Sequence, residues 1–344
     1  MPNCTPSLIA SQSRKPRSRT ATPVVSLNRA RPNMGHTWTP NCPIYLLPIP
    51  CCRVSSLLLL WITLFPLALH ADENGTNKAL LKSLTFYASF NRGIDADFAH
   101  GDPNLYTIVS GKPDFKTAVG LQAEGMTKLI KGKGLSGDAL QFTRRDAKKL
   151  FYTAKKNLAY GQREWSGTVS LWLRLDPEKD LDPGYCDPIQ ITPRQWNDGA
   201  FFVDFDRAGD PRDFRLGVFA DLDIWNAQNR DWNDIPADQR PLVVVHHPPF
   251  ASDKWTHVLF TWNQFNRGDK SGVAAFYLDG RLQGRLTGWE QTMTWGPHEE
   301  CRIQIGLNYI GLFDDLSCFD RALTSQEIRR LYELKGELSA LVAK

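Results

Sequence analysis

The chain has 344 residues, with 41 Lys and Arg against 37 Asp and Glu, which gives a formal charge of +4. The positive excess lies in residues 1–71, which carry seven basic residues and no acid, so the rest has 34 basic and 37 acidic residues, a charge of −3. A slightly acidic body offers no basic stripe to a phosphate backbone, and we expect no nucleic-acid partner.

The N-terminal region divides at Arg53. Residues 1–53 are rich in Ser, Arg and Pro, which is typical of a poorly ordered extension or of a start codon assigned too far upstream. Residues 54–71 indicate a signal peptide, because their apolar run Leu57–Leu69 has thirteen residues and a membrane helix needs about 20. We expect cleavage after Ala71, with a short uncleaved anchor as the alternative.

The mature chain then divides into a short N-terminal segment, residues 72–83, and one domain, residues 84–344. We expect it to be exported, whether extracellular, periplasmic or associated with the cell envelope, with no stable membrane span. Export permits disulfides, yet only Cys186, Cys301 and Cys318 remain, so at least one is a free thiol or pairs with another chain. Cys301 and Cys318 lie on neighbouring predicted strands and are candidates to pair; two separately buried thiols fit equally well.

Most of the domain alternates between apolar and polar residues, which is the period of a β-strand with one buried face. Such runs predict antiparallel strands in an all-β sandwich or barrel. In Gly167–Leu175 the face that carries Trp172 is expected to be half exposed. Asp279-Gly280 predicts a two-residue type I′ hairpin, because both turn positions need positive φ. The predicted strands are Leu84–Phe90, Gly167–Leu175, Ala200–Phe205, Phe214–Ala220, His257–Trp262, Val273–Leu278, Arg281–Leu286, Cys301–Gly306 and Leu312–Phe319.

One helix is predicted near the C-terminus, over Ser325–Leu338. Apolar residues recur there at helical spacing, and Thr324 with Glu327 three residues later forms a capping-box pattern. The apolar face of this helix should pin it onto the sandwich.

Five ordered segments resemble the laminin-G-like jelly roll of the concanavalin A-like lectin/glucanase superfamily, as found in secreted bacterial proteins. The resemblance implies an antiparallel jelly-roll β-sandwich with a short C-terminal helix. Because this fold hosts lectins, hydrolases, adhesion modules and inert spacers, the resemblance does not fix the function. The segments are Gly134–Phe142, Ser166–Arg174, Trp255–Trp262, Ala275–Gly284 and Ile305–Ile328.

The glucanase branch of the superfamily carries a Glu-x-Asp-x-x-Glu strand, which is absent here. Glu178-Lys179-Asp180 begins the pattern, but Pro183 stands where the last Glu is needed. We therefore expect no enzymatic activity and predict a secreted, non-catalytic carbohydrate-binding or adhesion module. The alternatives are a structural or protein-interaction domain of a cell-envelope assembly, and a glycoside hydrolase or lyase with a non-standard active site. The expected partner is a glycan or a cell-envelope protein.

Tryptophans in polar, loop-like stretches are the best functional signal. Trp196, Trp225 and Trp232 are surrounded by side chains such as Asp223 and Asn226. Sugar sites combine an apolar ring face with directional hydrogen-bonding groups, so these five residues are predicted to bind carbohydrate. The alternative is that the rings cap a small core or brace a long loop.

A structural calcium ion is the expected cofactor. In the superfamily it is often held where the first strand meets the last, and Asp314 resembles the ligand on the closing strand. Asn91 stands where the partner acid usually lies, which lowers the charge of the site. The alternative is that Asp314 or Asp315 accepts hydrogen bonds at a strand end.

Overall fold

The computed structural model describes residues 73–111, 115–123, 125–145, 149–296 and 300–342. The extension and the signal peptide predicted over residues 1–53 and 54–71 lie outside these residues. Within the described ranges, no helix is long and apolar enough to cross a membrane.

The described residues form two antiparallel sheets. Sheet A has the order β15-β14-β13-β8-β17-β1-β2, with β6 also paired to β17 and β5 to β6, and sheet B has the order β12-β11-β10-β9-β16-β7-β3-β4. The strands in chain order are β1 Leu84–Ala88, β2 Phe98–Ala99, β3 Tyr106–Ser110, β4 Lys116–Val119, β5 Thr127–Ile130, β6 Ala139–Phe142, β7 Leu150–Thr153, β8 Trp165–Arg174, β9 Cys186–Thr192, β10 Ala200–Phe205, β11 Phe214–Phe219, β12 Leu242–Val245, β13 Thr256–Phe265, β14 Val273–Leu278, β15 Arg281–Leu286, β16 Arg302–Leu307 and β17 Gly311–Phe319.

The main core lies between the sheets, where alternate residues of each strand meet. Val169, Leu171 and Leu173 of β8 belong to it, as the alternation predicts. Across the core, Phe201 stacks on Phe260 with ring centroids 5.8 Å apart. The all-β sandwich predicted from the sequence is confirmed.

The outer face of sheet A is covered by helices, so the expectation that one face of β8 is half exposed is wrong. Thr168, Ser170 and Trp172 are 0, 1 and 3% exposed. Helix α1 (residues 73–83), α4 (Ser325–Leu334) and α5 (Leu338–Val342) bury a second apolar cluster against this face, with Leu80, Ile328 and Leu331 among its members. Two further short helices, α2 (Pro177–Asp180) and α3 (Leu222–Trp225), lie in loops.

The two local turn signals are both confirmed. Asp279 and Gly280 adopt φ of 49° and 72° between β14 and β15, as a type I′ turn requires. At the start of α4, the Thr324 side chain accepts from the Glu327 backbone and the Glu327 side chain accepts from the Thr324 backbone. The helix ends at Leu334, four residues before the predicted Leu338, because Lys335 turns to left-handed backbone.

The three cysteines of the body do not form the candidate Cys301–Cys318 disulfide. Cys301 directly precedes β16 of sheet B, whereas Cys318 lies in β17 of sheet A. The two predicted strands are neighbours in sequence but belong to opposite layers. Cys186 and Cys318 are buried thiols.

Candidate functional site

The three tryptophans predicted to bind carbohydrate converge at one edge of sheet B. The Trp196 and Trp232 rings meet edge to face with centroids 5.1 Å apart, and Trp225 lies 6.5 Å from Trp232. All three pack on the outer side of Phe219, at centroid distances of 5.5, 5.0 and 6.0 Å for Trp196, Trp225 and Trp232. We call these three residues the tryptophan cluster.

The rings of the tryptophan cluster differ in their contacts and in their solvent exposure. The Trp225 indole N–H donates to the Asn197 carbonyl at 2.8 Å, and the Arg240 guanidinium lies 4.4 Å from the Trp232 ring centroid. These two rings brace the 222–240 loop, as the alternative interpretation of the sequence proposes. Trp196 stays 38% exposed and offers the most accessible ring.

A groove of about 490 Å³ lies beside the tryptophan cluster. It includes the predicted residues Asp223, which is exposed, and Asn226, which is buried. The Asn226 side chain closes the loop: its Nδ2 donates to the Arg230 carbonyl and its Oδ1 accepts from the Arg230 amide, both at 3.0 Å. Asn226 therefore shapes the groove, while Asp223 projects a carboxylate to its rim. The lining residues are Arg194, Asp198, Asp221, Leu222, Asp223, Asn226, Ala227, Asn229 and Thr294.

The floor of the groove contains a charged network that sequence reasoning missed. Arg194 Nη1 lies 2.9 Å from Asp198 Oδ1 and 3.0 Å from Asp221 Oδ1. Asp221 also accepts the Thr294 backbone N–H at 2.9 Å, and Asp198 accepts that of Leu222 at 3.0 Å. No local motif signals this network, because Arg194 and Thr294 are 100 residues apart.

Oxygen acceptors dominate the groove. Among the described residues that line it, the one cation is Arg194, which is held by Asp198 and Asp221. This leaves the Asp223 carboxylate and the Asn229 amide at the opening. Carboxylates accept hydrogen bonds and donate none when ionised. The groove therefore suits a ligand that is rich in hydroxyl donors. Trp196 lies in the chain between two of its lining residues, Arg194 and Asp198.

The two predicted calcium ligands meet at one turn, residues 134–138. Asn91 Oδ1 accepts the Asp138 N–H at 2.8 Å, and Asp314 Oδ2 accepts the Leu135 N–H at 2.7 Å. Burial, and then the charge of Asp315, raise the pKa of Asp314 well above its usual range.

The oxygen atoms at this turn are of the type that binds calcium. Its groups are hard oxygens, which Ca²⁺ prefers, and each accepting oxygen keeps a second lone pair. The described residues form no group of three or more His, Cys, Asp or Glu side chains that could hold a metal ion, so backbone carbonyls or water would have to complete the shell. Calcium at Asn91 and Asp314 stays a prediction.

A pair of carboxylates lies on the outer face of sheet B. The Asp204 carboxylate is bound through both oxygens by the Arg215 guanidinium, and the neighbouring Asp187 accepts from Gln190 Nε2 at 3.2 Å. Burial and the charge of Asp204 raise the pKa of Asp187 well above its usual range. Asp187 and Asp204 are 9 and 3% exposed, so they form a buried polar cluster rather than an open catalytic pair.

Two packed antiparallel sheets in this strand order define a jelly-roll β-sandwich. The chain belongs to the concanavalin A-like lectin/glucanase superfamily. The family model of that description, Laminin_G_3, matches residues 152–329, which is more than half of the chain. A search of the curated proteins gave no match.

Solved structures that are similar to this chain include domain 4 of AbnA, an extracellular GH43 arabinanase from Geobacillus stearothermophilus, in complex with arabinotriose. It is 16% identical, with 73% of this chain and 98% of that chain covered and a TM-score of 0.45. The binding domain of Paraclostridial Mosquitocidal Protein 1 is 12% identical, with coverages of 74% and 52% and a TM-score of 0.45. The receptor binding domain of a botulinum neurotoxin C/D mosaic is 14% identical, with coverages of 67% and 50% and a TM-score of 0.42. The chain thus spans about half the length of these two toxin chains.

Proposed function

We propose that this protein is an exported, non-catalytic carbohydrate-binding module that holds a neutral glycan in the groove beside the tryptophan cluster. The observation that carries the proposal is the convergence of Trp196, Trp225 and Trp232 next to a groove of about 490 Å³ with the exposed Asp223 at its rim. An exposed ring supplies stacking, and the rim acceptors bind hydroxyl groups.

A neutral glycan fits the charge of the groove better than an acidic one. In the described part of the chain, three carboxylates, Asp198, Asp221 and Asp223, line the groove together with one guanidinium, that of Arg194. A uronate or sulfate would place like charges together, which is unfavourable at short range. The Asp223 carboxylate can instead accept from a sugar hydroxyl in a charge-assisted hydrogen bond.

Affinity electrophoresis of the full chain through gels that contain neutral or acidic polysaccharides tests the proposal. We expect retardation by at least one neutral polysaccharide, and a loss of about tenfold or more in affinity for Trp196→Ala, because a buried aromatic contact is worth about 1.5–3 kcal/mol. Phe115→Ala is the matched control, since Phe115 is 40% exposed and lies away from the groove near β4. An unchanged Trp196→Ala variant, or no retention on any neutral polysaccharide, rejects the proposal.

A protein partner is the second candidate function, and one surface favours it. Val109, Phe115 and Val119 are 38, 40 and 62% exposed. Val109 lies in β3, Phe115 directly precedes β4, and Val119 is the last residue of β4, at an edge of sheet B. Exposed apolar groups beside an unpaired strand edge are typical of association surfaces. Val119→Lys should abolish capture of a cell-envelope protein in a pull-down if this edge is the contact.

We also propose a structural calcium ion at Asn91 and Asp314. Both residues hold the 134–138 turn against β17, so an ion there would tie β17 to the segment after β1. Millimolar CaCl₂ is expected to raise the thermal unfolding midpoint of the full chain, whereas MgCl₂ at the same ionic strength should not. If CaCl₂ raises the unfolding midpoint of Asp314→Asn as much as that of the parent protein, the ion does not bind at Asp314.

A further inference from the structure

A second cavity, of about 540 Å³, lies at the opposite end of strand β9 from the groove. Trp196 and Arg194 follow the last residue of β9, and Asp182 of the second cavity precedes its first residue. A seven-residue strand is roughly 20 Å long, so the two sites are separate. The residues that line the second cavity are Thr143, Arg144, Arg145, Asp182, Asn308 and Ile310.

Two arginines hold the loop of residues 182–185 that borders this cavity. Arg145 Nη1 donates to the Pro183 carbonyl. Arg212, which is 5% exposed, donates through Nη2 to the carbonyls of Asp182 at 3.1 Å and Gly184 at 2.8 Å. Gly184 has a φ of +111°, and a Cβ there would lie 2.5 Å from Arg145 Nη2. The loop therefore needs glycine to bring its backbone this close to the guanidinium.

The positive charges of these arginines are not balanced by ion pairs in the described part of the chain. The guanidinium groups of Arg145 and Arg212 donate to carbonyl oxygens and to the Cys186 sulfur. By contrast, Arg215 is paired with Asp204 and Asp206. A buried charge without a counter-charge costs free energy. An anion in the adjacent cavity would offset that cost.

Donors remain available at the cavity. A guanidinium has five N–H groups, and Arg145 uses one of them on Pro183. Asn308 has a left-handed backbone with φ of 55°, and its Nδ2 makes one long contact, 3.5 Å, to the Tyr185 carbonyl. The Tyr185 ring is 37% exposed beside this contact and has the Arg215 guanidinium 5.1 Å from its centroid. Asp182 is exposed at the rim, where water and salt screen its charge.

We propose that this cavity is a second ligand site, which binds the carboxylate or sulfate of an acidic sugar unit. Arg145 and Asn308 donate to the anion, Arg212 supplies a fixed positive charge behind the loop, and the Tyr185 ring offers an apolar surface to the sugar. The site is independent of the tryptophan cluster and does not require the function proposed above.

Calorimetric titration of the full chain with sodium glucuronate, sodium sulfate and glucose, at constant ionic strength, tests this site. We expect saturable binding of both anions, which identifies the charge as the recognised group, and tighter binding of glucuronate than of sulfate if the sugar ring contributes. Arg145→Gln should weaken both anions by about tenfold or more, because a hydrogen bond to a charged group is worth about 1.5–3 kcal/mol. Arg163→Gln is the control: it makes the same charge change at an exposed loop position.

Asn308→Asp keeps a residue that tolerates left-handed backbone and places a negative charge at the cavity, so it should abolish anion binding even if Arg145→Gln folds poorly. Trp196→Ala should leave anion binding unchanged, which separates this site from the groove. Equal losses in Arg163→Gln and Arg145→Gln, or anion binding that survives Asn308→Asp, would overturn the proposal. Tighter binding of polyglutamate than of oligogalacturonate would identify the partner as an acidic protein and overturn the sugar assignment.

Discussion

His257 is a fully buried histidine whose two ring nitrogens have different surroundings. Nε2 lies 2.8 Å from Ser170 Oγ, whereas Nδ1 is buried and has no hydrogen-bond partner among the described residues. The ring contacts Trp172, with centroids 4.7 Å apart, and faces Tyr332 of α4 at 5.9 Å. Burial alone lowers the pKa of His257 to about 3, so the imidazole is neutral in the folded protein.

This histidine should make the protein less stable in acid. Between pH 6.5 and about 3, the unfolded chain binds a proton at His257 that the folded protein does not. The free energy of unfolding therefore falls as the pH drops through this window, by up to about 1.4 kcal/mol per pH unit. His257→Gln cannot take up this proton, and its amide still reaches Ser170. Chemical denaturation at pH 7, 6, 5 and 4 should show a shallower pH dependence for the variant than for the parent protein; parallel curves would contradict this origin.

At the site, the sequence predicts the kinds of residue better than their roles. The tryptophans named by their mixture with Asp and Asn come together in one cluster, whereas their binding of carbohydrate stays a prediction. The roles depend on hydrogen-bond partners that composition does not reveal. The Trp225 indole donates to the Asn197 carbonyl, and the Asn226 side chain closes its own loop through hydrogen bonds with Arg230. The second cavity has no sequence signal, since Arg145, Asn308 and Arg212 meet only in the fold.

A capping box fixes the start of helix α4. Thr324 Oγ1 accepts the Glu327 N–H at 3.3 Å, and the Glu327 carboxylate is bound by Arg321 as well as by the Thr324 N–H at 2.9 Å. Thr324→Ala should lower the free energy of unfolding by about 1 kcal/mol, whereas Thr324→Ser, which keeps the hydroxyl, should change it little. Equilibrium denaturation of both variants checks this; equal losses would show that the hydroxyl is not the stabilising group.

Glycines with the same backbone serve different purposes in different elements. Gly306 in β16 has φ of +73°, and a Cβ there would lie 1.8 Å from Phe142 Cε1. Gly268 has φ of +71° with nothing within 4 Å of the same position. Gly268→Ala should cost about 1–2 kcal/mol from backbone strain, and Gly306→Ala about 1–3 kcal/mol more, because the core around Phe142 must move. Denaturant midpoints of the two variants measure the difference, and similar midpoints would mean that Phe142 yields without cost.

Strands were the predictable elements, since a period of two with a turn residue at each end is a local signal. The Ala200–Phe205, Val273–Leu278 and Arg281–Leu286 strands agree residue for residue. The sheet to which a strand belongs is not encoded in its local sequence. Strands β16 and β17 follow each other in the chain but belong to opposite sheets. Helix α1 was also missed, because residues 73–83 carry only a short apolar stripe that becomes buried through contact with sheet A.

At the scale of the whole molecule, the two faces of the sandwich have different coverings. The outer face of sheet A is covered by α1, α4 and α5. The groove lies beyond the ends of β9 and β11 of sheet B, whereas the second cavity lies where β6 and β17 of sheet A come close to β9 and β16 of sheet B. Hydrogen bonds connect α1 to the C-terminal part of the chain. Arg330 Nε donates to Asn77 Oδ1 at 2.9 Å, and Arg321 Nη2 donates to the Ala79 carbonyl at 3.2 Å. A domain boundary at residue 84 therefore cuts through packed structure.

Helices α1, α4 and α5 should unfold together with the sandwich as one cooperative unit. Leu80 is fully buried in the second apolar cluster with Tyr87 and Leu331, so Leu80→Ala should lower the free energy of unfolding by about 2–5 kcal/mol. Lys78→Ala, an exposed change in the same helix, should stay within about 0.5 kcal/mol. Because α1 and α4 share this cluster with β1, β13 and β17, Leu80→Ala should shift one common transition in circular dichroism and tryptophan fluorescence. An earlier, separate loss of helical signal would show instead that the cover detaches from an intact sandwich.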